Sequence, residues 1–155
     1  MSQFPVAITV TGVAFTTATD LMQFTVASNR PVTVCGLTVI QSSDVGDAQD
    51  EVLRVGFYRG VTTGATGGSA GTAAAMQQGG PTPGVGSAQS NWTTASTGGT
   101  LVAINGFNVR AGLEWWFPEL LRPYCTAASA IQSFRLLGAP ADSVTMDVCV
   151  YLLEG

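Results

Sequence analysis

The chain has 155 residues, 46% of them hydrophobic and only 10% charged, with a net charge of −4 and an isoelectric point near 4.4. It contains no His, and all six basic residues are Arg, which removes the Ser-His-Asp, Cys-His and Ser-Lys nucleophile systems and Schiff-base chemistry. The acidic balance opposes nucleic-acid binding, which needs a basic face. The length suits one domain burying roughly two-thirds of its unfolded surface.

The first run, Val6–Thr11, alternates apolar and β-branched polar residues, the period-two pattern of a strand. Leu21–Val26 is a second such run. Asn29-Arg30-Pro31 is a turn before the strand Val32–Ile40, in which Gly36 marks a bulge. Residues 42–50 form an acidic loop. Glu51–Arg59 resumes as a strand with Leu53, Val55 and Phe57 on one face.

From residue 60 to residue 109 no side chain is charged, and residues 60–99 are chiefly Gly, Ala, Thr, Ser, Gln and Pro. Such a tract has too few large apolar groups for its own core. It also lacks the charges that keep a free tail extended. We therefore expect it to lie on another surface, its own domain's or a neighbour's. Pro81, Pro83 and the glycines exclude a long helix, leaving at most one helical turn at Ala73–Gln77.

Strand pattern returns at Thr100–Ile104, Phe107–Val109 and Leu113–Phe117. Ile131–Leu137 and Val144–Leu152 flank the turn-rich Gly138–Ser143 and read as a hairpin. Ala127–Phe134 is the other candidate for a short helix. The fold expected is all-β: an antiparallel β-sandwich or jelly roll with a long Gly/Ala/Thr-rich extended insertion. One β domain spans 1–155, with 60–99 a neutral loop or arm inserted in it.

Little chemistry emerges. Cys35, Cys125 and Cys149 are odd in number and widely spaced, unlike a metal site, and read as small buried residues in a reducing compartment. Glu114 and Glu119 are the carboxylates a hydrolase would use, but solvated or Arg-paired groups near a strand end explain them equally. The loop containing Asp44, Asp47 and Asp50 lacks EF-hand spacing; it either ligates Ca²⁺ or faces Arg54, Arg59 or a neighbouring subunit's Arg. No catalytic residue, metal site or cofactor is assigned. Trp115 and Trp116 are adjacent, so a strand there turns one ring inward and one outward unless its end twists to hide both. Asn91-Trp92-Thr93 matches a glycosylation sequon, but no basic leader accompanies it and no run is long enough for a membrane helix.

Several segments, in this order and spacing, resemble small tailed-phage virion proteins of the capsid decoration, or cement, type. They are Gln41–Glu51, the Thr-Gly-Ser tract, Phe107–Gly112, Pro118-Glu119 with Arg122-Pro123, and Leu137–Ser143. The resemblance implies a non-enzymatic protein on the outer capsid surface, assembled in the host cytoplasm. Such a protein often forms a homotrimer and staples the major capsid protein. The tract would then be an arm over the shell or a sister subunit, ordering on assembly. Trp92 and one of Trp115 or Trp116 are the expected interface rings. Arg54, Arg59 and Arg110 are expected to form inter-subunit ion pairs with the Asp44–Glu51 loop. A carbohydrate- or receptor-binding virion module, such as a head fibre, is the alternative.

Overall fold

The computed structural model describes residues 3–43, 50–90 and 93–155. Twelve strands account for most of them: β1 Phe4–Phe15, β2 Asp20–Thr25, β3 Val32–Gln41, β4 Val52–Val61, β5 Ser69–Ala70, β6 Thr72–Ala75, β7 Gly86–Ser90, β8 Thr100–Asn108, β9 Leu113–Trp116, β10 Tyr124–Cys125, β11 Ile131–Leu136 and β12 Val144–Glu154. One sheet runs β6-β1-β12-β3, with β9 and β10 end to end along the far edge of β3; the other runs β5-β7-β2-β11-β4-β8. Every pairing is antiparallel. Setting aside the short strands, the orders are β1-β12-β3-β9 and β2-β11-β4-β8. These are the two facing four-stranded sheets of a jelly roll, with most successive strands crossing between them.

Period two builds the core. Along β12, Val144, Met146, Val148, Val150 and Leu152 point inward and are buried, while their neighbours are half-exposed. They meet Leu21, Phe24, Val55, Phe57 and Phe134 of the opposite sheet. An aromatic cluster joins the layers, with ring centroids 4.9 Å apart for Phe57–Phe134, 5.8 Å for Trp115–Phe134 and 5.1 Å for Trp115–Phe117. The bulge expected at Gly36 is present: Tyr151 pairs Gly36 and Leu152 pairs Val34, leaving Cys35 unmatched.

Three expectations are corrected. Ile131–Leu136 and Val144–Glu154 are not a hairpin, because β11 lies in one sheet and β12 in the other and the turn-rich loop crosses between layers. Ala73–Gln77 makes no helical turn: Thr72–Ala75 is strand β6, its ladder with β1 overriding alanine's helix preference. Ala127–Phe134 is not helical either. A turn there leads into β11, and the only helical turn among the described residues is Glu119–Leu121.

The neutral tract lies on its own domain, with no stretch of its described residues reaching away as an arm. It enters between β4 and β8 and adds β6 to the β1 edge of one sheet and β7 and β5 to the β2 edge of the other. Thr63 bridges Thr97, and Thr66 bridges Thr94. Ala65 and Ser96, within the tract, are buried.

What binds it is charge belonging to the rest of the domain. The buried Asp20 carboxylate accepts hydrogen bonds from the Ser96 amide (2.8 Å), the Ser96 hydroxyl and the Ser133 hydroxyl, with the Arg135 guanidinium 3.7 Å away. Arg135 donates to Ser96 Oγ at 2.6 Å and lies 4.1 Å over the Tyr58 ring. Gln23 accepts from the Ala65 amide at 2.9 Å. Glu154, fully buried, accepts from the Gly84 amide, and Arg30 bridges Glu154 to the Thr82 carbonyl. The tract thus supplies backbone groups to buried charges that would otherwise be costly.

Candidate interaction surface

With β6 on β1 and β5 and β7 on β2, one lateral side of the sandwich is covered. The other side, where β8 faces β9 and β10, is open. β8 is nine residues long, contains neither charge nor proline, and has no neighbour on its outer edge among the described residues. Edge strands normally carry such features to prevent pairing with other chains. Here the strand instead exposes Leu101, Val102 and Ile104, and the adjoining segment exposes Trp116, Leu120, Leu121 and Tyr124. An apolar edge strand of this length, without charge or proline, is a candidate contact surface.

At one end of this side the sheets part around a cleft of about 390 Å³, lined by Arg59, Thr100 and Val102 on one wall and by Pro123, Tyr124 and Cys125 on the other. A register irregularity shapes it. Phe57 pairs Ala103 and Tyr58 pairs Leu101, so Val102 is the extra residue of a bulge. Bulges re-aim side chains: Val102 lines the cleft while Ala103 packs on the core. At its floor Gln132 is buried and its Nε2 reaches the Cys125 sulfur, a weak acceptor, at 3.4 Å.

A second feature occupies the outer face of the β1-β12-β3 sheet. Trp116 is 51% exposed and its ring stacks on Tyr151 at 4.8 Å and 36°. Gly36 makes the seat: a Cβ there would lie 2.6 Å from Trp116 Cε3. The Tyr151 phenol exchanges hydrogen bonds with Thr38 and Cys149. The Thr38 bond favours ionisation, but the Cys149 bond, burial and the Glu114 charge outweigh it and raise the phenol above its ordinary value. Burial likewise raises the Cys35 thiol against the pull of Arg122, and the Cys149 thiol against its bond to Tyr151.

The structure divides the residues expected from sequence. Trp116 faces out. Trp115 is spent in the core aromatic cluster and presents no free ring. Arg54 and Arg59 are exposed on β4 beside β8, pairing with Gly106 and Thr100. Arg110, also exposed, follows β8 and donates its backbone amide to Asn108 Oδ1. Asp50 holds the Asn108 side chain, and Glu51 accepts from the Ala141 amide. Asp44, Asp47 and Trp92 lie outside the described residues, as do the acidic-loop ion pairs and the calcium reading. Glu114 and Glu119 are both exposed. The strand runs read at Thr100–Ile104 and Phe107–Val109 are present as one strand, β8; its place at an open edge was not foreseen, although Leu101-Val102-Ala103-Ile104 is an unbroken apolar run rather than the alternation of a half-buried strand.

No protein-family model, curated protein or solved structure matches this chain.

Proposed function

We propose that this chain is a non-enzymatic structural virion protein, a capsid decoration protein that binds the major capsid protein lattice and stabilises it. The observation that carries the reading is β8, a long uncharged edge strand left open in a domain whose opposite edge is covered. A domain with 10% charged residues and an apolar free edge is suited to standing among partners rather than alone in solvent. Association as a homotrimer would repeat the contact around each site and turn weak single contacts into firm attachment. The likeness of Gln41–Glu51, Phe107–Gly112 and Leu137–Ser143 to cement-type proteins supports the same role.

The test is the mass of the purified protein by light scattering, alone and then mixed with capsid shells lacking it. A trimer that binds the shells is expected. A monomer that ignores them would sink the proposal.

The Trp116–Tyr151 pair favours a second reading, a carbohydrate- or receptor-binding virion module. An exposed indole on a flat sheet face suits stacking against a sugar ring. Glycan binding by the isolated protein, lost in Trp116→Ala, would establish it.

A further inference from the structure

We infer that the free edge of β8 and the cleft beside it receive an extended peptide segment bearing carboxylate side chains, laid down as an additional strand. The inference names the chemistry of the partner at the open edge and so rests on the reading of that edge as a contact surface.

Three observations carry it. The first is the edge: β8 is the last strand of its sheet, and the outward backbone groups of its Thr100–Ile104 stretch meet no partner among the described residues and no charge or proline that would block a new strand. Farther along, the Gly106 amide donates to Asn105 Oδ1 and the Asn108 carbonyl accepts from the Ala111 and Gly112 amides. Main-chain pairing of this kind supplies affinity, and pockets taking alternate side chains supply selectivity. The second is the pocket. The cleft opens at the Val102 bulge, at the level of Thr100, where alternate side chains of an added strand would arrive.

The third is charge. β4 and β8 together contain Arg54 and Arg59 and no carboxylate, in a chain whose net charge is −4. Arg59 lines the cleft, no acidic residue does, and no ion pair of Arg59 is present among the described residues. A guanidinium beside an apolar wall and a buried amide is a receptor for a carboxylate.

The experiment uses a fluorescein-labelled octapeptide of alternating Thr and Glu, compared with Thr-Gln and Thr-Lys peptides of equal length, by fluorescence anisotropy. The Glu peptide is expected to bind saturably and about tenfold more tightly than the Gln peptide, the scale of one charge-assisted hydrogen bond. The Lys peptide should not bind. Arg59→Ala should reduce the Glu peptide to the level of the Gln peptide. Val102→Glu, which puts a carboxylate into the cleft from a position 47% exposed, should abolish binding while the protein remains folded by circular dichroism.

Equal binding of the Glu and Gln peptides, or none of either, would overturn the inference. So would a dimer that excludes the peptide and is broken by Ile104→Arg. Peptide binding without uptake onto shells would leave the inference standing and remove the capsid reading alone. Uptake onto shells that is indifferent to Arg59→Ala, with no peptide bound, would do the reverse.

Discussion

Glu154, near the end of β12, accepts both of its carboxylate hydrogen bonds from one backbone amide, that of Gly84, at 2.9 and 2.8 Å. The two residues are 70 positions apart, and the contact ties the uncharged insertion to the last strand of the core. A Cβ at residue 84 would lie 2.9 Å from Glu154 Oε1 and 3.0 Å from Ala27 Cβ. Gly84→Ala should therefore push the insertion off its anchor. Glu154→Gln should cost about 1.5–3 kcal/mol, because a neutral amide replaces a charge-assisted acceptor and Arg30 loses its partner. Urea unfolding checks both, and limited proteolysis should show earlier cleavage near Pro83.

The Asp20 cluster makes a parallel prediction. Asp20 is fully buried, and Arg135 is the cation beside it. Arg135→Met should cost about 3–5 kcal/mol, since it strands a buried carboxylate. Ser96→Ala should cost less, about 1–3 kcal/mol, because the Ser96 amide still donates to Asp20. Deleting residues 64–86 removes the partners of both Gln23 and Glu154 and should lower the unfolding midpoint strongly. A deletion variant unfolding at the wild-type urea concentration would show that the insertion is independent of the core.

These anchors also mark what the sequence could and could not reveal. Alternation exposed the strands and the inward face of β12, because burial acts on each side chain in turn. It could not assign strands to sheets, since a turn-rich loop such as Gly138–Ser143 looks the same whether it closes a hairpin or crosses between layers. The course of the insertion was hidden for another reason. Its donors are the amides of Ala65, Gly84 and Ser96, and backbone groups leave no trace in residue identity. Adjacency of Trp115 and Trp116 did imply opposite directions, but not which ring faced inward. That choice follows from the place of β9 on β3, a long-range contact.

The thiols and phenol give a pH prediction. Cys35, Cys149 and Tyr151 are all raised, so the folded state favours their neutral forms. The unfolded chain then loses protons first as pH rises. The thiols' contribution is fully present below 9.0, the ordinary thiol value, and is lost as pH climbs through the raised folded values. Unfolding midpoints should hold from neutral pH and fall towards about pH 10, with a smaller fall in Cys149→Ser. Alkylation of Cys35 and Cys149 should be slow at neutral pH because the thiolate is the reactive form. Rapid modification of both at neutral pH would contradict the burial assigned to them.

Finally, the two neighbouring tryptophans should separate stability from binding. Trp115 contacts Phe117 and Phe134 in the core, so Trp115→Ala should cost about 3–5 kcal/mol by leaving a cavity. Trp116 lies half in solvent over Gly36 and Tyr151, and Trp116→Ala should cost about 1 kcal/mol or less, the scale of one aromatic pair. Gly36→Ala offers an independent route to the same face: its Cβ would also meet the Trp115 carbonyl oxygen at 2.6 Å, so it must displace β9 or the indole. The expected result is a protein less stable than Trp116→Ala, with its indole fluorescence shifted as the Tyr151 stack opens. If the outer face takes part in attachment, Trp116→Ala will bind shells or glycans less well at nearly unchanged stability. Equal stability loss in Trp115→Ala and Trp116→Ala would refute the division of the pair into a core ring and a surface ring.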